Sequence, residues 1–338
     1  MGRGRGVPTC PLGFSSTPEA RGASLAASEL SHSTQGTCAH QVFSLLPQTL
    51  QGSSARMIIC LRPLAHRSLL AGLLALVWVL ANPLLQAGDA DIRLGLQTWT
   101  LRNLKFDQMV EFAVKHGIKD LQIIPNHLNP DASQEELQQK KSVLEKHGLR
   151  PYTFGVAGTS MDFAKNRKLF EFAKFMGMKL IVVEPGDFRI WDNLEALAKE
   201  FDIQVAVHNH GIRSLYGNPA VVKNIVQHRD SRIGVCMDIG WITAAGFDAA
   251  KVFRDYNGRV FDLHLKDKKV EPALGDTVAT DAHIGQGSAN MKGLIAELQK
   301  ANWKGVMAIE TDSQTFALNP SEFVTNARKF LEANVSQP

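Results

Sequence analysis

Residues 205–211 read Val-Ala-Val-His-Asn-His-Gly, an apolar run that ends in histidines and breaks at a glycine. A short β-branched run bounded by Asn or Gly is typical of a buried strand in a parallel sheet. The pattern recurs in residues 235–238, 261–264 and 306–310, so that the four runs end at His208, Asp238, His264 and Glu310. If the sheet closes into a barrel, the four terminal side chains converge at its carboxyl end.

Strand and helix patterns alternate eight times from Ile92 onward. The predicted strands are Ile92–Gln97, Asp120–Ile124, Arg150–Phe154, Leu180–Glu184, Gln204–His208, Gly234–Asp238, Val260–Leu265 and Gly305–Glu310. Apolar residues spaced by three and four between these runs predict helices, and several helices end at a glycine suited to a C-cap. Eight such units in about 250 residues predict an α/β fold, a single-domain (β/α)₈ TIM barrel over residues 91–336.

The connection after the seventh strand, Lys268 to Met291, is rich in Gly, Asp and Thr and is predicted to be irregular. Loops of this length in a compact domain are usually functional. Asp281 and His283 lie within it, and we expect either to close over a ligand or to remain on the surface.

Two N-terminal segments precede the predicted barrel. Residues 1–56 are rich in small and polar residues and indicate a disordered extension, or residues upstream of a true start at Met57. Residues 57–88 carry two arginines, an apolar run over 68–80 and small residues, the pattern of a signal peptide. The run is shorter than the roughly 20 residues that span a bilayer. We therefore expect an exported protein, periplasmic or secreted, with no stable membrane anchor after cleavage.

Charge and cysteine content narrow the class of protein. Residues 1–87 hold six of the 37 Lys and Arg and two of the 33 Asp and Glu, so the rest is balanced at 31 of each. Nucleic-acid binding requires an excess of cationic side chains, so we expect no nucleic-acid partner. Three of the four cysteines precede the predicted cleavage point, leaving Cys236, and export is compatible with a fold that uses no disulfide.

The four strand-end side chains predict a metal site. Singly, each has a structural explanation, such as a capped turn at Asp238 or a surface ion pair at Glu310. Together they would bury two carboxylates, which is costly unless cations or a metal compensate. Mixed imidazole and carboxylate ligands suit Mn²⁺, Zn²⁺ or Co²⁺ better than Mg²⁺, so the expected cofactor is one divalent metal ion.

Three further side chains are candidates for catalysis. Glu184 closes the fourth strand and is a candidate ligand or general base, or a carboxylate held by a neighbouring cation. His210 points to the same side of an extended backbone as His208. Lys266, two residues after His264, is placed to hold a substrate oxygen or to stabilise an enolate. Each has an ordinary solvent-exposed alternative.

The chain resembles the xylose isomerase-like TIM barrels, and more narrowly secreted members of the sugar phosphate isomerase/epimerase group. The resemblance spans about Ile92 to Ala333. It rests on the segments His-Asn-His-Gly (208–211), Met-Asp-Ile-Gly-Trp (237–241), His-Leu-Lys-Asp (264–267) and Ile-Glu (309–310). It implies one divalent metal held by the four strand-end residues and a small-molecule sugar partner. Such barrels often associate, so a homo-oligomer is an open expectation.

Two departures from the family pattern weaken a direct transfer of its two-base epimerase mechanism. The ketose 3-epimerases usually carry Glu at the position of His208, and a histidine at the position of Trp241. An indole cannot bind a metal or carry protons, so stacking on substrate is expected of Trp241. The similarity to endonuclease IV is also real in outline, but that enzyme needs extra histidines, and a balanced charge argues against DNA repair.

The residues and the resemblance together predict a metal-dependent isomerase or epimerase of an unphosphorylated sugar or keto-sugar, with an enediolate intermediate. A lyase or dehydratase acting on a keto-sugar or keto-glycoside through the same enolate is the alternative, and a non-catalytic sugar-binding barrel is the third. The predicted catalytic residues are Glu310, Glu184, His210 and Lys266. The predicted substrate-binding residues are Trp241, Asn209 and His283.

Overall fold

The computed structural model describes residues 90–273 and 276–335. Within these residues, eight parallel strands form a closed barrel. The barrel closes where the first strand pairs with the last, and the predicted TIM barrel is confirmed. In barrel order the strands are β1 (Ile92–Gln97), β2 (Asp120–Ile123), β3 (Arg150–Ala157), β4 (Leu180–Val183), β5 (Gln204–His208), β6 (Ile233–Asp238), β7 (Val260–Leu265) and β10 (Gly305–Ile309). Strands β8 (Asp267–Ala273) and β9 (Asp276–Ala282) form a separate two-stranded sheet.

Helices surround the barrel and begin where the sequence places capping side chains. Ser133 accepts a hydrogen bond from the Glu136 N–H, and Asp248 does the same for Lys251. The helix before β4 ends at Gly177 in the left-handed conformation, φ 78°, as its sequence predicts. The helices are α1 (Phe106–Lys115), α2 (Gln134–Lys146), α3 (Phe163–Met176), α4 (Ile190–Phe201), α5 (Pro219–Val226), α6 (Ile239–Ala244), α7 (Ala249–Asp255), α8 (Met291–Lys300), α9 (Gln314–Leu318) and α10 (Pro320–Asn334).

The hydrophobic core lies between the strands and the helices, and the barrel interior is lined partly by small and polar side chains. Strand β3 passes so close to β4 that a Cβ on Gly155 would lie 2.4 Å from the Val182 carbonyl oxygen. Toward the carboxyl end the buried interior turns polar, with Gln97, Gln122 and the strand-end histidines. This polar layer is where the site forms.

The segment predicted to be one irregular loop, residues 268–291, is ordered in part, and that prediction is wrong. Strands β8 and β9 pair in antiparallel register, with Lys268 opposite Asp281. The buried Asp267 carboxylate then folds the following chain inward, accepting hydrogen bonds from the N–H groups of Gly285 (3.0 Å), Gly287 (2.9 Å) and Ala289 (3.2 Å). The polar composition of residues 268–291 does not indicate this hairpin, because contacts with the barrel stabilise it.

Within residues 90–273 and 276–335, no helix has the length and apolar character needed to cross a bilayer. The predicted extension (1–56) and signal peptide (57–88) lie outside the described residues and stay predictions.

Replacing Asp267 by Ala should detach the chain that follows the hairpin, because three backbone N–H groups lose their common buried acceptor. A hydrogen bond to a charged group contributes about 1.5–3 kcal/mol, so we expect unfolding free energy to fall by at least about 2 kcal/mol. Amide hydrogen exchange should accelerate at Gly285, Gly287 and Ala289. The exposed Asp131→Ala is the matched control, and equal effects of both substitutions on exchange would contradict the assignment.

Candidate metal centre and active site

Four buried side chains at the carboxyl end of the barrel form a cluster. One ligand atom from each lies within 4.8 Å of all the others. The residues are the predicted four: His208, Asp238, His264 and Glu310. His208 and Asp238 end β5 and β6, His264 is the next-to-last residue of β7, and Glu310 follows β10 directly. Adjacent parallel strands therefore bring the four together.

The four ligand atoms face a common point. The Nδ1 atom of His264 lies 2.5 Å from Glu310 Oε2 and 3.6 Å from Asp238 Oδ2. The Nε2 atom of His208 lies 3.2 Å from that same Nδ1 and 3.6 Å from Asp238 Oδ2. Two imidazole nitrogens and two carboxylate oxygens can therefore bind one ion without a change in backbone.

The carboxylate oxygens of the cluster are short of hydrogen bonds. Asp238 Oδ1 accepts the Trp241 N–H at 2.8 Å and caps α6, while the buried Oδ2 has no hydrogen bond of regular geometry and lies 2.9 Å from the Lys266 ammonium. Glu310 Oε2 likewise has no hydrogen bond of regular geometry and lies 3.2 Å from the same ammonium. Buried acceptors without hydrogen bonds are costly, and a divalent cation would satisfy both. The donor set fits Mn²⁺, Zn²⁺ or Co²⁺.

Two amide side chains orient the ligands. Gln122 Oε1 lies 2.6 Å from His264 Nε2. With the proton on Nε2 donated to Gln122, the Nδ1 lone pair is free for the ion. Asn209 donates to the Asp238 carbonyl oxygen at 3.2 Å and accepts the Asp238 N–H at 2.9 Å. The structure thus places Asn209, a predicted substrate-binding residue, as a fully buried link between β5 and β6.

Lys266 is buried beside the cluster. Its Nζ lies 2.9 Å from Asp238 Oδ2, 3.2 Å from Glu310 Oε2 and 3.0 Å from Asp312 Oδ2. Burial alone would lower the pKa of Lys266, but the surrounding carboxylates hold it well above its usual value. Burial likewise opposes ionisation of Asp238, and the Lys266 charge together with both histidines keeps that pKa well below its ordinary range. Lys266 therefore compensates negative charge within the cluster.

A cavity of about 240 Å³ opens above the cluster. His208 and Glu310 reach it from the metal set, and His210 reaches it from the loop after β5. Its lining is Gln97, Trp99, Ile124, Pro125, Asn126, Val156, His208, His210, Glu310 and Asp312. We call it the mouth cavity. The sequence analysis did not predict Gln97, Trp99, Asn126 and Asp312. Gln97 ends β1 and the other three lie within three residues of a strand end, and that position was the available signal.

Glu184 and His210 form an ion pair at the rim. Glu184 Oε2 accepts a hydrogen bond from His210 Nδ1 and lies 3.5 Å from His208 Nδ1. Burial would raise the pKa of Glu184, but hydrogen bonds with the two histidines lower it to about 2. Burial would lower the pKa of His210, and its hydrogen bond to Glu184 outweighs this, so the pKa is raised. The imidazole, 41% exposed, is the accessible member of the pair.

The remaining candidates lie farther out. Trp241 flanks His210, with 5.8 Å between ring centroids, and carries the Lys268 ammonium 4.0 Å from its ring centroid. The His283 ring packs 4.8 Å from the Phe316 ring and lies near Asn326, so the structure does not bring it to the mouth cavity. Asp281 accepts from Thr311 and from backbone N–H groups beside it, which ties the hairpin to the chain after β10.

Comparison with known proteins identifies the family. The sequence profile of the xylose isomerase-like TIM barrel family matches residues 110–333, and the chain belongs to that family. The resemblance to the xylose isomerase-like TIM barrels seen in the sequence is therefore confirmed.

Individual relatives are distant. An inosose dehydratase from Clostridium perfringens (strain 13 / Type A) is 26% identical over 152 residues, covering 42% of this chain and 51% of the relative. The chain thus spans about half the length of that curated relative. A solved structure of an uncharacterized protein from Parabacteroides distasonis ATCC 8503 has a TM-score of 0.56 at 28% identity, covering 72% of this chain and 99% of its own. The IOLI protein, solved with a zinc atom, has a TM-score of 0.59 at 18% identity, with 72% and 98% covered.

Removal of the Gln122 amide should weaken metal binding without abolishing it. In Gln122→Leu the His264 ring loses the acceptor that fixes its tautomer and orientation, and such losses typically cost 10- to 100-fold in metal affinity. Calorimetric titration of the metal-free protein with Zn²⁺ or Mn²⁺ should give one site in the wild type and this loss in the variant.

The exposed Gln138→Leu serves as the control and should bind the ion with unchanged affinity. Circular dichroism should show that Gln122→Leu remains folded. Equal affinities in Gln122→Leu and the wild type would show that Gln122 does not orient the ligand.

Proposed function

We propose that the protein is a divalent-metal-dependent lyase of the dehydratase type, which eliminates a β-oxygen substituent from an unphosphorylated keto-sugar. The observation that carries this proposal is the Glu184–His210 ion pair on the wall of the mouth cavity. An elimination needs a base for the proton next to the ketone and an acid for the departing oxygen. The cavity offers a carboxylate in Glu310 and a charged imidazole in His210.

Glu310, His210 and Glu184 are the side chains that take part in the proposed proton transfers. Burial would raise the pKa of Glu310, but the charges of His264 and Lys266 lower it to about 2, so the carboxylate is ionised. Glu310 lines the mouth cavity and is the group to which the α-proton passes in this proposal. His210 donates its proton to the leaving oxygen, and Glu184 holds the imidazolium in place. A bound divalent ion would act as a Lewis acid toward the substrate carbonyl. Asn126, Gln97 and Asp312 provide hydrogen-bonding groups for sugar hydroxyls.

The lining of the mouth cavity supports an uncharged substrate. None of the described residues that line it is a Lys or an Arg, and two are carboxylates, Glu310 and Asp312. A phosphate group there would face these two carboxylates and would lack the Lys or Arg side chains that commonly bind phosphate. Trp99, 39% exposed on the short 3₁₀ turn after β1, offers an aromatic surface to a sugar ring. An unphosphorylated substrate also agrees with the export that residues 57–88 predict, and we propose a periplasmic or secreted location.

The comparisons support elimination over isomerisation. The Clostridium perfringens relative is named inosose dehydratase, and the IOLI structure holds zinc. Within this chain, the strand-five position is His208, so one of the two carboxylates of the epimerase pattern is replaced by an imidazole.

Isomerisation or epimerisation is the second candidate, and one contact favours it. The Glu184 carboxylate lies 3.5 Å from His208 Nδ1, close enough for Glu184 to replace the missing strand-five carboxylate. In that case the proton would return to the substrate, and no group would be lost. A sugar-binding barrel without catalysis predicts neither proton exchange nor loss of a group.

The protein is incubated with inososes and keto-sugars in D₂O in the presence of Mn²⁺, Zn²⁺ or Co²⁺, and the reaction is followed by NMR. We expect an unsaturated ketone as the product. Glu310→Gln should lower both α-hydrogen exchange and elimination by at least about 10²-fold, the usual contribution of a general base. His210→Gln should lower elimination by a similar factor while α-hydrogen exchange persists, because only the proton for the leaving group is lost.

The exposed His147→Gln is the matched control and should behave as the wild type. Deuterated epimers without an unsaturated product would favour the isomerase reading. The absence of both exchange and product across the panel would overturn catalysis on keto-sugars.

A further inference from the structure

A second cavity adjoins the mouth cavity. It has a volume of about 570 Å³ and is formed by three segments: the loop after β5, helix α6 with the turn that follows it, and the β8–β9 hairpin. We call it the side groove. Its lining is His210, Gly211, Ile212, Arg213, Ser214, Trp241, Ala244, Ala245, Gly246, Val270 and Ala279. His210 lines both cavities, so the two spaces meet at its imidazole.

The side groove offers a largely carbon-rich surface. More than half of its lining residues are aliphatic or aromatic, with Ile212 52% exposed and the Trp241 ring packed closely against Gly211. None of the described residues that line it is acidic, in contrast to the mouth cavity, and Arg213 is a cationic side chain of the lining. A hydrophobic surface open to solvent beside a catalytic cavity is where part of a ligand is expected to bind.

We propose that the substrate has two parts, a keto-sugar ring in the mouth cavity and an uncharged, apolar alcohol group in the side groove, joined through the oxygen that is expelled. This inference rests on the proposed lyase function and adds the class of leaving group. His210, the acid that must protonate the departing oxygen, lines both cavities. The bond that breaks then lies at the junction, with one product on each side.

The reaction balances without a further reactant. The C–H bond next to the ketone breaks and its proton passes to the Glu310 carboxylate, while the electron pair forms the new C=C bond. The C–O bond at the next carbon breaks, and its oxygen takes the proton of His210. The products are an unsaturated ketone and a free alcohol. Transfer of one proton from Glu310 to His210 through solvent restores the starting state.

The test compares two keto-glycosides, each with its ketone two carbons from the glycosidic carbon. One carries a methoxy and the other a cyclohexylmethoxy group. These primary alkoxides are chemically similar leaving groups, so a difference in kcat/KM reports binding of the alcohol part. We expect kcat/KM to be at least tenfold higher for the cyclohexylmethyl compound, mainly through a lower KM.

Variants localise the effect to the side groove. Ile212→Asp and Val270→Asp should abolish the preference, so that the ratio of kcat/KM between the cyclohexylmethyl and the methyl compound falls to about one. Val278→Asp is the matched control, since Val278 is on the same hairpin, is 51% exposed and does not line the groove. It should keep the preference.

The outcomes are separable. Elimination from both compounds with equal kcat/KM, or a preference that Ile212→Asp and Val270→Asp retain, would overturn the side-groove assignment and leave the lyase proposal standing. Turnover of neither compound nor of unsubstituted keto-sugars would overturn the lyase proposal and this inference with it.

Discussion

Two carboxylates, Asp238 and Glu310, are buried within a few ångströms of each other at the carboxyl end of the barrel. Removing them from water without compensation would cost several kcal/mol each, so the surrounding structure must supply positive charge or hydrogen bonds. The Lys266 ammonium supplies part of it, 2.9 Å from Asp238 Oδ2, and the four ligand atoms that lie within 4.8 Å of one another mark the place for a cation. The closed barrel makes this arrangement possible, because pairing of β1 with β10 fixes every strand end at one face.

The same charges extend from the metal centre to the hairpin. Asp312 contacts both Lys266 and Lys268, and Lys268 pairs with Asp281 at 2.5 Å. Asp281 in turn accepts the Thr311 hydroxyl at 2.6 Å. The hairpin that forms one wall of the side groove is thus anchored to the chain after β10, which carries Glu310. Ion pairs and hydrogen bonds therefore connect the candidate metal ligands to the hairpin that lines the side groove.

The two departures from the family pattern have consequences that can be located in the structure. His208 keeps a ligand nitrogen at the strand-five position but removes a carboxylate, which leaves Glu310 and the histidine-bound Glu184 as the acidic groups near the mouth cavity. Trp241 stands where the family pattern has a histidine and lines the side groove with an aromatic ring beside His210. In the proposed mechanism these two changes leave one base, Glu310, and one acid, His210.

The sequence alone determined the alternation of strands and helices, several helix caps and the four ligand positions. These features depend on local periodicity and on the rule that parallel strands end at one face. Only the tertiary structure decided the partners of those ligands. Gln122 contacts His264 across 142 residues of sequence, and Lys266 contacts three carboxylates. The tertiary structure also packs His283 among aromatic rings. The sequence also did not predict the hairpin that β8 and β9 form. The physical reason is that side-chain direction and long-range pairing follow from barrel register and packing, which short stretches of sequence do not encode.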